Sequence, residues 1–225
     1  MSEILRSFKH PPAGDLSSHC IPIMVKGVAR GRLRPITMAT VHNEAEIKLI
    51  AEWREASSAW FTTRFPLSEE GTRQWIEQQV LNADDRILFF VEDEEGTPVG
   101  QVGLLHYDET AKQCEYDNLL RGRKGKFGNI MNYALITLGI WSIEVLDVQN
   151  GFIRVVADNH RAIRIYQSLG AEEVERSPLV KSEENGVTRW LPAPAEVDGE
   201  PERELVTMRI KRESFLEILR SNHAE

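Results

Sequence analysis

The sequence predicts a mixed α/β domain with a mostly antiparallel central sheet flanked by helices, and three observations carry that expectation. Ile87-Leu88-Phe89-Phe90-Val91 is an unbroken apolar run of the kind a sheet buries on both faces. Two strand-like stretches, Val99 to His106 and Gln113 to Leu120, follow across short turn-rich links (Glu94-Glu95-Gly96-Thr97-Pro98 and Asp108 to Lys112), as in an antiparallel meander. Apolar residues at helical spacing before and after the meander supply covering layers.

Taken in order, residues 1–30 carry Pro, Gly and Ser without sustained periodicity, apart from Ile21-Pro22-Ile23-Met24-Val25, and are expected to form a loosely attached arm. Regular pattern begins with the alternation at Arg32-Leu33-Arg34-Pro35-Ile36, which reads as a strand. Asn43 is a suitable N-cap for a helix through Ala56, in which Ile47, Ile50, Ala51 and Arg54 follow helical spacing. Thr72 to Leu81 reads as a second helix. After the meander, Ile130, Met131, Ala134, Leu135, Leu138 and Trp141 trace one face of a long helix. Gly151 to Asp158 alternates as a strand, Asn159 opens a helix closed by Gly170, and another strand runs from Glu173 towards Leu179. The acidic, proline-bearing stretch 183–203 suggests an exposed loop before a last strand, Leu205 to Lys211. The expected division is thus an arm (1–30), one domain (31–215) and a short tail (216–225).

Composition narrows the function. The chain has 225 residues, a formal charge of −8 and 41% hydrophobic residues, which fits a globular protein and argues against a general nucleic-acid or membrane-surface binder. The two cysteines, Cys20 and Cys114, lie far apart, so neither a zinc site nor a disulfide framework is expected, and a reducing cytoplasm is the natural location. No apolar run approaches the ~20 residues of a membrane span, and Met1 to His10 lacks the apolar core of a signal peptide.

Chemistry concentrates in two stretches. In this acidic protein, four cations (Arg121, Arg123, Lys124 and Lys126) and three glycines precede a helix start. Unpaired backbone N–H groups and the helix dipole favour an anion there, glycines allow close approach, and side-chain cations add charge-assisted bonds. A pyrophosphate suits such a loop; a solvated basic turn is the plain alternative, and the spacing of a Walker loop is absent. The second stretch runs from Val155 to Gly170. Its Asn159, Ala162, Tyr166 and Gly170 resemble the strand–helix signature of the GNAT superfamily of acyl-CoA-dependent N-acetyltransferases. Arg123-Lys124-Gly125-Lys126-Phe127-Gly128 resembles that family's phosphate loop at Arg123 and Gly128, with Lys126 where the middle glycine is usual. The likeness covers roughly Arg32 to Arg212.

The resemblance implies a GNAT-like sheet splayed at an acetyl-CoA site. Asn118, Leu119 and Leu120 would pair with the pantetheine arm. Arg121, Arg123, Lys124, Gly125, Lys126, Phe127, Gly128 and Asn129 would cradle the pyrophosphate, Asn159 and Ala162 would also touch the cofactor, and Tyr166 would lie near the thioester sulfur. Tyr166 would protonate the departing thiolate, help worth ~10²–10⁴-fold. No metal is expected. For the base that deprotonates the amine, Glu115 and Asp117 share one strand face, Glu115 being the first choice, and His106 is a further candidate.

The expected acceptor is a small-molecule amine. Trp53, Arg54 and Trp60, with Phe61, Phe65 and Trp75, offer aromatic and cationic groups that stack on sugars or clamp phosphate, although Trp53 and Trp75 also read as core. The opening segment and Asp117-Asn118-Leu119-Leu120-Arg121-Gly122 are similar to bacterial N-acetyltransferases acting on nucleotide-linked amino sugars. Enzymes acetylating ribosomal-protein N-termini or aminoglycosides share that opening pattern and stay as alternatives, as does a non-catalytic acyl-CoA-binding module. No nucleic acid or membrane partner is expected; a homodimer is an open expectation.

Overall fold

The computed structural model describes residues 3–64, 68–184, 186–193 and 201–223. Along the chain run α1 (Glu3–Lys9), β1 (Ile21–Val25), β2 (Val28–Pro35), α2 (Met38–Val41), α3 (Glu44–Ala56) and β3 (Thr63–Arg64). Then come α4 (Glu69–Trp75, continued by a π-helical turn, Ile76–Leu81), β4 (Ile87–Asp93), β5 (Pro98–Asp108), β6 (Gln113–Arg121) and α5 (Ile130–Leu146). The last third holds β7 (Asn150–Val156), α6 (His160–Ser168), β8 (Glu172–Glu184), β9 (Val187–Pro192), β10 (Arg203–Lys211) and α7 (Arg212–His223). Among the described residues the strands form one sheet in the order β1-β2-β4-β5-β6-β7-β10-β8-β9-β3. Neighbours are antiparallel except β6 and β7, which run parallel because α5 carries the chain back across the sheet between them.

The apolar run in β4 divides by alternation between two cores. Ile87, Phe89 and Val91 enter the core shared with α5, while Leu88 and Phe90 enter a second core with Ile36, Ile47, Ile50 and Trp53. Helices therefore cover both faces, α1, α5, α6 and α7 on one side and α2 to α4 on the other.

Three stretches differ from the expectation. The first thirty residues are built into the fold: Leu5 and Ile23 are fully buried, the Phe8 ring meets Trp141 at 5.1 Å, and β1 pairs with β2. The buried Lys9 ammonium donates to the carbonyls of Val80 and Ala83. A seven-residue helix is too short to show a period in the sequence. The stretch read as an acidic loop is largely the hairpin of β8 and β9, turning at Gly186 in the left-handed region (φ +77°). Its acids lie on exposed positions of the strands, which hides the alternation; residues 194–200 lie outside the described residues. The stretch expected as a tail lies, over residues 216–223, in the helix α7, whose Phe215 is buried against Gly139, where a Cβ would stand 2.4 Å from the ring.

The pairing of β9 with β3 ties the segment between α3 and α4 to the far edge of the sheet. Among the described residues no helix is long and apolar enough to cross a membrane.

Candidate active site

The sheet parts in its middle. β6 and β7 pair at Gln113–Asn150, Cys114–Gly151 and Glu115–Phe152, and among the described residues the ladder goes no further. Beyond that point β6 is bonded to β5 alone. The register against β5 slips by one residue between Gly103–Asp117 and Gln101–Leu120, leaving Asn118 as a bulge with φ +54°. Asparagine tolerates the left-handed region, and a bulge re-aims the strand that follows it. The Asn118 side chain is held from three sides: Arg54 Nη1 (3.1 Å) and Gln101 Nε2 (3.2 Å) donate to Oδ1, and Nδ2 donates to Asp117 Oδ2 (2.6 Å).

On one side of the gap lies a cleft of about 590 Å³ bordered by Leu119, Leu120, Arg121, Asn129, Arg161 and Tyr166, among others. Phe127, Ala162 and Asn159 also border it. Asn159 caps α6, its Oδ1 accepting from the Ala162 N–H at 3.2 Å, so the spacing of that pair is a helix start as well as a cleft wall. α5 begins at Asn129 (φ +62°) with no side-chain cap and no acid in its first turn, which leaves its N-terminal dipole for a ligand. Arg121, Arg161 and Arg164 are exposed around this cleft without a carboxylate partner among the described residues. A long donor ending in phosphates fits these groups, with its arm along the unpaired edge of β6.

The loop cations stand differently from the expectation. Lys126 is ion-paired with Glu95, and Arg123 Nε donates to the Pro98 carbonyl at 2.6 Å. Lys124 is exposed, Gly125 faces Val99, and Gly128 has open space around it. Arg123, Lys124, Gly125, Lys126 and Gly128 do not border the cleft, because the acidic turn between β4 and β5 draws the loop towards itself. Arg161 and Arg164 were missed, although their spacing of three on the helix opened by Asn159 put two cations on neighbouring turns.

On the other side lies a second cleft of about 630 Å³. Glu115, Asp117 and Arg154 come from the sheet, Trp60, Phe61 and Trp75 from the segments after α3, and Arg189 from β9. Arg54 also borders it, with its guanidinium 3.9 Å from the Trp75 ring centre and 5.0 Å from that of Phe61. Burial lowers its pKa to about 10, opposed by the charge of Asp117. The Asp117 carboxyl is pushed up by desolvation, against the pull of the Asn118 N–H. Glu115 is tied to Arg154 at 2.6 Å and to His106 at 3.2 Å. Tyr166 is buried, and its hydroxyl pKa is raised by burial and then by Asp117.

The candidates for the acceptor side separate. Trp60 borders both clefts. Trp53 instead packs in the second core, edge-on to Phe90, and borders neither cleft; the tryptophan in the cleft is Trp75. His106, half-exposed at a bulge in β5, touches Glu115 but lies outside the cleft wall. Phe65 lies outside the described residues.

The chain matches the acetyltransferase (GNAT) domain family over residues 30–172. A search of curated proteins finds no match. Solved structures with a similar fold include the spermidine N-acetyltransferase of Vibrio cholerae in complex with CoA and spermine, 13% identical, with a TM-score of 0.62, covering 83% of this chain and 98% of that one. The same enzyme in a dodecameric intermediate state is 14% identical at a TM-score of 0.59, covering 83% and 96%. A further chain, assigned only as an acetyltransferase, is 18% identical at a TM-score of 0.59, covering 87% and 90%. Likenesses at such identity show the fold, whereas the family match spans well over half of the sequence. The chain therefore belongs to the GNAT acetyltransferase family and is an acetyl-CoA-dependent N-acetyltransferase.

Proposed function

We propose that this enzyme acetylates the primary amine of an amino sugar, most readily one carried on a nucleotide, by direct attack with Asp117 as base and Tyr166 as acid. One observation carries the reading. The gap between β6 and β7 is bordered by both clefts, with Asp117 on one border, Tyr166 on the other, and the two close enough to interact electrostatically. An amine entering from one side and a thioester from the other would meet there.

Asp117 takes a proton from the ammonium, a task helped by the desolvation that raises its carboxyl pKa. The amine nitrogen then attacks the thioester carbonyl; the C–N bond forms, the C–S bond breaks, and the electron pair leaves with sulfur. Tyr166, kept protonated by burial and by the neighbouring carboxylate, donates its proton to that sulfur, and the phenolate takes back the second proton that the nitrogen sheds as it becomes an amide. Glu115, the first choice from sequence, is engaged by Arg154 and His106 and is better suited to shaping the cleft than to accepting a proton. The aromatic rings of Trp60, Phe61 and Trp75 suit a sugar face, and Arg154 and Arg189 suit phosphates.

Thiol release measured over nucleotide-linked amino sugars, free amino sugars, polyamines and basic peptides tests the acceptor. Turnover confined to the amino sugars supports the reading; turnover on polyamines alone overturns it. The polyamine reading is the second choice, favoured by the carboxylates Glu115 and Asp117 in the cleft and by the spermine held by a structural relative. Arg54, Arg154 and Arg189 on the same walls oppose it, since a polycation would face three guanidiniums.

A further inference from the structure

Resting on the reading of Asp117 as the base, we infer that Arg54, Gln101 and Asn118 form a hydrogen-bonded chain that positions the Asp117 carboxylate for proton transfer. All three are positioning residues, acting through Asp117.

The orientation of the Asn118 amide is dictated by its partners. Arg54 has only donors to offer, and Gln101 presents its amide nitrogen, so the oxygen of Asn118 must face both of them. Its NH₂ is thereby turned to the Asp117 carboxylate. Reversing the amide would set donor against donor at one end and oxygen against carboxylate at the other. The left-handed bulge makes this reach possible, because it turns residue 118 out of the strand's alternation beside Asp117.

The arrangement carries a cost that stability does not explain. Arg54 is 8% exposed and its Nε has no partner among the described residues; Gln101 is fully buried and its Oε1 likewise has none among them. Buried polar groups left half-satisfied are unfavourable, and an apolar pair would pack the site more cheaply. The guanidinium is nonetheless locked between Trp75 and Phe61 and aimed at Asn118. Such rigidity fits a group whose angle matters to a reaction.

The charged and titratable groups facing Asp117 are Glu115 on its own strand, Arg54 on α3, Arg154 on β7 and Tyr166 on α6. Of these Arg54 alone is joined to Asp117 through the amide of Asn118. Loss of its cation disfavours the ionised carboxylate, whereas loss of the Gln101 or Asn118 amide removes orientation without removing a charge.

The test is the pH dependence of kcat/KM for the amine, alongside calorimetric affinity for acetyl-CoA. Asn118→Gly keeps the left-handed backbone and deletes the amide. It is expected to lower kcat/KM about tenfold with acetyl-CoA affinity unchanged. Gln101→Leu, which leaves the bulge untouched, should act in the same direction and serves if the glycine loosens the strand. Arg54→Met should move the acid limb of the profile to higher pH, and Arg54→Lys should restore its position. Rates within twofold of the parent for both amide variants, whatever their melting temperatures, overturn the chain. Asp117→Asn separates the two layers: if it keeps full rate, the base assignment falls and the chain with it. If it is inactive while the amide variants are unimpaired, only the chain falls.

Discussion

The two clefts that meet at the strand gap, which we propose as the donor and the acceptor cleft, are built in different ways. The donor cleft draws on two short stretches, 119–132 and 159–168, with Ser57 and Trp60 at its rim, and much of its character is main-chain: an uncapped helix start, a strand edge without a partner, a capped turn. The acceptor cleft is assembled from side chains on α3, the segment after it, α4, β5, β6, β7, β9 and β10. A ligand held by backbone geometry needs contiguous residues with fixed spacing. A ligand held by side chains can be served from anywhere the sheet brings together. The first leaves a pattern in the sequence and the second leaves only residue types.

The sharpest way to break this comparison is Tyr166→Phe, which removes one hydroxyl from the donor border and nothing from the fold. Its kcat should fall about 10²-fold with acetyl-CoA affinity nearly unchanged, because the proton is needed only as sulfur leaves. An unchanged kcat, measured with acceptor saturating, would take Tyr166 out of the chemistry. The next effect falls on the second core, behind the end of β6. A Cβ at Gly122 would stand 1.8 Å from Trp53 Cε2, so Gly122→Ala forces a rigid indole out of the second core. It should cost about 2 kcal/mol in denaturant unfolding. Pairing it with Trp53→Phe should recover part of the loss; a simple sum of two losses would locate the strain elsewhere.

These two positions also show what the sequence made legible. Apart from α2, β3 and β9, the order of strands and helices from Arg32 to Lys211 could be read, because β4 is apolar without a break and α5 keeps its apolar face. Tyr166 was singled out by its spacing to Asn159, and both residues border the same cleft. Trp53 was not separable from Trp60 or Trp75 by type: one packs on Phe90, one borders both clefts and one stacks on Arg54. The same limit applies to charge. Lys126 looked like a phosphate ligand and Glu95 like a turn residue, and only the fold reveals that they pair with each other. β9 was hidden because Glu183, Glu184, Pro192 and Pro194 around it carry the composition of a loop. The Asn118 bulge depends on pairing with β5, a relation that no short window of sequence contains.

Charge gives a smaller test of the donor side. Replacing Arg161 and Arg164 together with Ala should weaken acetyl-CoA binding roughly tenfold and flatten its dependence on salt, since both guanidiniums are free to meet phosphates. Lys126→Ala should change affinity less than about twofold, as an exposed ion pair with Glu95 contributes little to anything else. The reverse ranking would return the basic loop to the phosphate site and make the helix arginines bystanders.

The smallest effect belongs to the acceptor side and concerns stability. The Asp117 carboxyl has a higher pKa in the folded protein than in the unfolded chain, with desolvation the main cause. The folded state therefore holds the proton more tightly, so this group favours folding below its unfolded pKa and loses that contribution as pH rises through its raised folded value. Above that value the ionised carboxylate is a standing cost, and there Asp117→Asn should raise the melting temperature by about 2 °C while abolishing most turnover. The advantage of the variant should shrink as pH is lowered through the same window, because the parent recovers its proton and Asn has none to gain. A melting difference that is constant across that window would mean that Asp117 is not desolvated in the folded protein. The acceptor cleft would then lack the one group whose discomfort marks it as a base.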